Sequence, residues 1–118
     1  MMLVSLTKLL RIVNPLDTPP WKEITSSISK DEINSTIATN YGLEYDPFKP
    51  QTRQQHIRKI AYFVKNGWND DPITIIFHQN IYPIYDGNHR LCAAIVRNDE
   101  YIFANVEGSF LKIKEISY

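Results

Sequence analysis

DGNHRLCAA, at positions 86–94, is the most informative run in this chain of 118 residues. The apolar run just before it, Ile81 to Tyr85, is typical of a strand. The two alanines near its end favour a helix and fit no strand pattern. An Asp-Gly pair often makes a hairpin turn, but the residues after this one do not alternate as a second strand would. The sequence therefore predicts a strand, a turn at residues 86–88 that ends the strand, and a helix from His89 to Arg97.

Such a turn predicts an anion-binding site at the start of the helix. The first backbone N–H groups of a helix lack intrahelical partners and carry the positive end of the helix dipole, so phosphate binds there. Gly87 has no Cβ and lets a ligand approach the backbone, while Arg90 can grip phosphate oxygens with two parallel donors. We expect Asp86 to hold Mg²⁺ or to orient His89 or Arg90. The alternative is that Asp86 and Arg90 form only a local salt bridge that caps the helix.

The region before this turn predicts a β-hairpin. The β-branched run at residues 72–77 is typical of a strand, and His78–Asn80 is a short turn that leads into the run Ile81 to Tyr85. Pro83 lies inside the second run and cannot donate a ladder hydrogen bond. We therefore expect the second strand to lie at an edge or to carry a bulge.

Two capping boxes predict the starts of two further helices. The first runs from Ser29 to Glu32, and its helix ends near residues 40–42. The second runs from Thr52 to Gln55, and its helix ends at residues 66–67. The positions expected to face inward on the first helix are Ile33, Ile37 and Ala38. The apolar face of the second helix, at spacings of three and four, is formed by Ile57, Ile60, Ala61 and Val64.

The two ends of the chain give weaker patterns. Residues 3–13 fit either a strand or a short helix, and residues 14–21 carry three prolines that require an extended or turning segment. Tyr101 to Val106 predicts a third strand, and the tail from Ser109 to Tyr118 is a final strand or helix. These elements together predict an α+β fold with a small mixed β-sheet and flanking helices.

Composition narrows the class of protein. The 43% hydrophobic content and the chain length predict a single globular domain over residues 1–118. Thirteen basic against thirteen acidic residues give a formal net charge of zero, which argues against bulk electrostatic binding of nucleic acid. The one cysteine, Cys92, cannot form an internal disulfide, and there is no zinc spacing. No apolar stretch is long enough to span a membrane. We expect a cytoplasmic protein with no membrane partner.

The order of these motifs resembles the ParB/sulfiredoxin superfamily. D-G-x-H-R followed by an alanine-rich helix matches the characteristic turn of that family, at residues 86–94. Upstream, residues 46–50 (DPFKP), the helix reaching Gly67 and the run PITI at 72–75 resemble its N-P-x-x-P, helix, glycine and P-I-x-V succession. Downstream, residues 101–106 resemble its closing strand. The resemblance covers about residues 44–110 and implies a ParB/sulfiredoxin-like fold.

The resemblance also implies nucleotide binding, with the phosphates of ATP or CTP against the His-Arg turn. The implied phosphate-binding residues are Gly87, Asn88, His89 and Arg90. Gln51 stands where the family has an arginine, and Arg53 is the candidate to replace it. Any reaction would be phosphoryl transfer or nucleotide hydrolysis, with Asp86 and His89 as catalytic residues and Asp86 as the Mg²⁺ ligand. Serine kinases of this kind use an N-terminal glutamate as the base, and Glu23 is the candidate here.

The residues themselves leave the question of catalysis open. Sulfiredoxins place a catalytic cysteine immediately before the His-Arg pair, but this chain has Asn88 there and carries Cys92 within the helix. A cysteine-dependent sulfiredoxin is therefore not expected. No other residue is an obvious general base. His56 and His78 are expected to be solvated surface histidines, and Trp21 is expected in the core or in a lid.

Two other functions fit the sequence. Residues 51–68 carry four basic side chains and no acid, which fits a DNA-binding or ParB-like nuclease module that uses this helix face on the phosphate backbone. The other is a non-catalytic interaction protein of a phage or mobile element, which keeps the fold and binds a protein partner.

Overall fold

A computed structural model describes all residues 1–118 and contains four strands and five helices. The strands are β1 (Met2–Ser5), β2 (Ile73–Phe77), β3 (Ile84–Asp86) and β4 (Tyr101–Gly108). The helices are α1 (Leu6–Leu10), α2 (Lys30–Thr39), α3 (Arg53–Asn66), α4 (Asn88–Arg97) and α5 (Phe110–Ile116). The predicted α+β class with a small mixed sheet and flanking helices is confirmed.

The four strands form one sheet in the order β1-β4-β2-β3. The two central strands, β2 and β4, are parallel, with Ile73 opposite Ala104 and Phe77 opposite Gly108. The two edge strands run antiparallel to their neighbours. Strand β3 is therefore an edge strand, and it leads directly into α4 through the glycine turn.

Helix α4 lies at the centre of the packing. Every residue from Arg90 to Val96 is buried, and the helix contacts both β2 and α3. Helix α3 in turn packs on α2. Because α4 is buried along most of its length, core packing as well as the glycine turn holds the first residues of α4 in place at the end of β3.

The predicted hairpin forms, but its second strand is shorter than the sequence indicates. Strand β3 begins at Ile84 rather than Ile81, and the ladder shifts register between Thr74 and Ile75. Pro83 has no N–H to give to the ladder, although its carbonyl still accepts from the N–H of Ile76 at 2.9 Å. The expectation of an edge strand with a bulge is confirmed.

Both alternatives for residues 3–13 are realised, since β1 is followed at once by α1. The C-terminal tail is helical, as α5, and returns to the sheet through a bridge between Ser117 and Val4. No helix in the chain has the length and apolar character needed to cross a membrane.

The capping predictions hold with two corrections. The Ser29–Glu32 capping box is complete and Ile33 is buried as expected, but Ala38 is exposed and the second buried residue of that helix is Thr36. Thr36 tolerates burial because its hydroxyl donates to the carbonyl of Glu32 at 2.9 Å. At α3, Thr52 caps the helix as expected. The side-chain oxygen of Gln55, however, accepts from the N–H of Gln51 and not from that of Thr52.

Candidate functional site

The glycine turn between β3 and α4 is a position that only glycine fits. Gly87 is the residue before the helix and has φ +101°. A Cβ at this position would lie 2.3 Å from Cγ2 and 2.7 Å from Cβ of Ile73, which is fully buried in β2. The turn is therefore held in a left-handed conformation, pressed directly against the sheet.

The start of α4 has free backbone donors, as the sequence predicts. No side chain caps the helix, and the first N–H groups of a helix have no intrahelical acceptor. Asn88, the first helical residue, points its side chain back to the β3 connection. Its Oδ1 accepts from the Tyr82 hydroxyl at 2.6 Å and its Nδ2 donates to the carbonyl of Ile84 at 3.3 Å. The helix thus offers main-chain donors, while the Asn88 side chain serves the turn.

Arg90 is a buried residue that ties the turn together. Its Nη1 donates to the main-chain oxygens of Asp71 (2.9 Å) and Pro72 (3.3 Å) and to the Asp71 carboxylate at 3.1 Å. Its Nη2 donates to the Asp86 carboxylate at 3.2 Å. The local salt bridge between Asp86 and Arg90 is present, and Arg90 also holds the segment entering β2. Its phosphate-binding role stays a prediction.

A cavity of about 440 Å³ opens at this turn. We call it the turn cleft. It is bounded by the turn itself, by the middle of α3, by the segment that follows α3, and by Tyr45. Lys59 of α3 lines it and is the one basic side chain there besides Arg90. The two aspartates that hold Arg90, Asp71 and Asp86, also line it, and their side chains are largely exposed.

Two histidines meet beside the cleft, which corrects the prediction for His56. That residue was expected on the solvated side of α3, but it is only 2% exposed. Its Nδ1 lies 2.9 Å from Nε2 of His89. The two ring planes differ by 11° and the ring centres are 5.1 Å apart, as required for imidazoles joined edge to edge by a hydrogen bond. His78, in contrast, is exposed as expected.

Trp21 covers one face of the histidine pair. Its indole is stacked on both imidazoles, with ring centres 4.3 Å from each and interplanar angles of 27° and 21°. The ring therefore covers the hydrogen bond between His56 and His89. Trp21 is half-buried and packs against the core, so the expectation of a core or lid position is met by a specific contact.

Glu23 completes the cluster on its outer side. Its Oε2 lies 3.6 Å from Nε2 of His56, which is too long for a hydrogen bond and leaves this buried nitrogen without a hydrogen-bond partner. The carboxylate therefore acts on the neutral ring only through the field of its charge at this nitrogen. Glu23 contacts His56 and not the Asp86 turn, so the predicted catalytic residues Glu23 and His89 are connected only through His56.

The charge states of the cluster follow from burial. Burial lowers the pKa of His89 to about 3, so that this imidazole is neutral near pH 7. Burial also lowers the pKa of His56, against the opposing pull of the Glu23 carboxylate. A hydrogen bond from its own backbone N–H lowers the pKa of Glu23, which is ionised. The arrangement is therefore one carboxylate followed by two neutral imidazoles.

Arg53 lies outside the site. Its guanidinium donates to the Glu32 carboxylate at 2.9 Å and to the main-chain oxygens of Ser26 (3.1 Å) and Ser27 (2.8 Å). It thereby ties the start of α3 to the start of α2. In this position the guanidinium holds two helices together, and the phosphate role suggested for Arg53 stays a prediction without support from the geometry.

Neither a metal cluster nor a reactive thiol adds to the site. Residues 1–118 contain no group of three or more His, Cys, Asp or Glu side chains that could hold a metal ion. Cys92 is enclosed in α4, and burial raises the pKa of its thiol, which favours the unreactive protonated form. Asp86 as a Mg²⁺ ligand stays a prediction.

The sequence did not indicate the stacking of Trp21 on the histidines, the place of Lys59 in the turn cleft or the burial of His56. A signal for His56 exists, because it lies four residues before Ile60 and so on the buried face of α3. Comparison with protein-family models, with curated proteins and with solved structures gives no match for this chain.

Proposed function

We propose that this chain binds a nucleoside triphosphate, ATP or CTP, in the turn cleft, with the phosphates at the start of α4. The observation that carries the proposal is that a cavity of about 440 Å³ meets the uncapped helix start and the Lys59 side chain. Backbone N–H groups at a helix start and a lysine ammonium are common donors to phosphate. Arg90 supports this site by holding the turn in shape.

The other walls of the cleft suit the remaining parts of a nucleotide. Tyr45, Tyr62 and Trp68 line it, and aromatic side chains stack on any base. Mg²⁺ is commonly bound by one or two carboxylates together with substrate phosphates and water. Asp71 and Asp86 line the cleft with largely exposed side chains, so their free oxygens fit such a shared ion.

The motif order supports the same function independently of the cavity. The D-G-x-H-R turn at residues 86–90 and the elements on both sides of it resemble ParB/sulfiredoxin domains, whose members bind nucleotides through this turn. We propose the same fold family, a cytoplasmic location and, where catalysis occurs, phosphoryl transfer or nucleotide hydrolysis. Positioning and neutralisation of phosphate charge would then supply most of the rate enhancement.

Nucleotide binding predicts a stabilisation that depends on Lys59. A ligand present at 100 times its Kd raises the free energy of unfolding by about 2.7 kcal/mol, so ATP or CTP with Mg²⁺ should raise the melting temperature of the wild-type chain. Lys59→Ala should weaken binding about tenfold, since one charge-assisted contact is worth about 1.5 kcal/mol or more. Lys65→Ala is the matched control, because Lys65 is exposed on the same helix and lines no part of the cleft. No shift with either nucleotide at millimolar concentration would contradict the proposal.

A second candidate is DNA binding on α3, and one feature favours it. A smaller cavity of about 190 Å³ lies next to the turn cleft, and its lining carries three basic residues against two acidic ones together with aromatic rings: Lys49, Arg58, Lys59, Glu44, Asp46, Phe48 and Tyr62. Basic and aromatic side chains in one groove are typical of nucleic-acid binding. Of the basic residues, Lys49 and Arg58 line only this second cavity.

DNA binding predicts retention that falls with salt and with loss of these two cations. Each phosphate contact removed should lower the slope of log K against log salt by about one. The double variant Lys49→Ala/Arg58→Ala should therefore lose DNA binding and keep the nucleotide shift. Equal retention of both variant and wild type on a DNA column would leave the basic groove without this role.

A further inference from the structure

Glu23, His56 and His89 form a row of polar side chains that leads from the surface into the turn cleft, and Trp21 covers the two imidazoles. Glu23 stands at the outer end of the row, 3.6 Å from Nε2 of His56. The hydrogen bond of 2.9 Å between the two imidazoles forms its centre. His89 stands at its inner end and lines the cleft. The row therefore connects an ionised carboxylate to an imidazole at the ligand cavity.

Glu23 decides which way the hydrogen bond between the histidines points. A proton on Nε2 of His56 faces the carboxylate, whereas a bare Nε2 would place its lone pair against a negative charge in a buried position. His56 therefore carries its proton on Nε2 and accepts at Nδ1. His89 then donates from Nε2, and its Nδ1 is left as a bare lone pair.

The free Nδ1 of His89 distinguishes this pair from a purely structural one. It has no hydrogen-bond partner in the protein, and it is not among the enclosed unpartnered atoms, of which His56 Nε2 is the only one. Since His89 lines the cleft, its Nδ1 remains accessible there. An accessible lone pair on a neutral imidazole can accept a proton from a water held in the cleft. Burial and the Lys59 charge lower the pKa of His89 in the protein alone, and the negative charge of a bound triphosphate acts in the opposite direction by favouring the imidazolium.

We propose that Nδ1 of His89 is the general base of the turn cleft, with His56 and Glu23 as positioning residues that hold it in this tautomer. The proposal rests on the proposed nucleotide function and names its acceptor as water. Trp21 contributes by keeping both imidazoles in one plane beneath its indole. The same carboxylate–imidazole logic orients the base in hydrolytic triads, here extended by one further imidazole.

The proposed reaction is hydrolysis of the terminal phosphate by water. A water oxygen forms a bond to the terminal phosphorus, and the bond from that phosphorus to the bridging oxygen breaks, releasing a nucleoside diphosphate. The water proton moves to Nδ1 of His89. The resulting imidazolium keeps its Nε2–H on His56, and the negative charge of Glu23 stabilises it through that ring. The proton then leaves to solvent, which restores the neutral pair.

The protonation pattern can be measured in the free protein by long-range ¹H–¹⁵N spectra of the histidine rings. We expect a bare Nδ1 and a protonated Nε2 on His89, and the same arrangement on His56. Glu23→Gln removes the charge that selects this tautomer and should shift both rings toward a mixture, while the exposed His78 should stay unchanged. A proton found on Nδ1 of His89 in the wild-type chain would overturn the proposal, whether or not a nucleotide binds.

Single-turnover hydrolysis of ATP and CTP supplies the second readout. His89→Gln should slow phosphate release at saturating nucleotide at least a hundredfold, since general bases contribute about 10²- to 10⁴-fold. Glu23→Gln should slow it as well, without a change in the nucleotide Kd. The matched control is His78→Gln, because His78 lies exposed in the hairpin turn. A wild-type chain that binds nucleotide without hydrolysing it, or an effect of less than fivefold in His89→Gln, overturns the proposal.

The two readouts separate this proposal from the function on which it rests. If no nucleotide binds, the proposed function fails, and the spectra still test whether Glu23 and His56 hold His89 with a bare Nδ1. A bare Nδ1 on His89 whose ¹⁵N signal shifts in Glu23→Gln supports this positioning, and a protonated Nδ1 rejects it. If nucleotide binds and His89→Gln abolishes hydrolysis at saturating nucleotide, both proposals are supported.

Discussion

Gly87→Ala is expected to lower the free energy of unfolding by about 3 kcal/mol or more. Two costs add at this position. The left-handed backbone at φ +101° costs a residue with a Cβ about 1–2 kcal/mol. The new methyl would also lie 2.3 Å from Ile73 Cγ2, and Ile73 is too enclosed to move aside without repacking the core. Urea denaturation followed by circular dichroism measures the loss.

Gly42→Ala is the matched control for this prediction. Gly42 also has a positive φ, +71°, but a Cβ there would meet no atom within 4 Å. Its replacement should therefore cost only the backbone part, about 1–2 kcal/mol. Equal losses at the two glycines would show that the contact with Ile73 does not constrain the turn.

Arg90→Ala is expected to cost about 3 kcal/mol of folding stability, the second large effect. The substitution leaves a cavity in the core and removes every side-chain donor to the carbonyls of Asp71 and Pro72. It also removes both ion pairs, although Asp71 and Asp86 are largely exposed and can rehydrate. Arg90→Lys should recover only part of the loss, because an ammonium lacks the planar fork that reaches two segments. Thermal and urea unfolding both report this difference.

Arg58→Ala serves as the control for Arg90, since Arg58 is exposed on α3 and makes no salt bridge. Its stability should stay within about 0.5 kcal/mol of the wild type. A folded and stable Arg90→Ala chain that has lost nucleotide binding would reverse the assignment. Arg90 would then be a direct phosphate ligand, as the sequence motif suggests.

Local patterns in the sequence predict most of the elements but little of the site. The α3 period, the Ser29–Glu32 capping box and the turn before α4 depend on neighbours within a few residues, so they can be seen in one dimension. The shorter β3 depends on where Pro83 falls in the ladder, which needs the register of β2. Arg90 shows the same limit, because its partner Asp86 lies four residues away while Asp71 comes from before the hairpin.

The histidine pair could not be predicted from spacing alone. His56 and His89 are 33 residues apart, and Trp21 lies well before both of them in the chain. Only the packing of α3 on α4 brings the two rings into hydrogen-bond contact. A lone histidine in a helix is more often solvated, and that general tendency is overruled here by an aromatic partner from a distant loop.

The stacking of one indole on two hydrogen-bonded imidazoles makes positions 21, 56 and 89 interdependent in evolution. Residues that touch have substitution effects that do not add, so a change at one of the three alters what is tolerated at the other two. Trp21 contacts both rings at once. A substitution at this single loop position would therefore weaken the contact between His56 of α3 and His89 of α4. Natural variation at the three positions is therefore expected to be correlated. Trp21, although it lies in a loop, should tolerate substitution as poorly as a residue of the buried core.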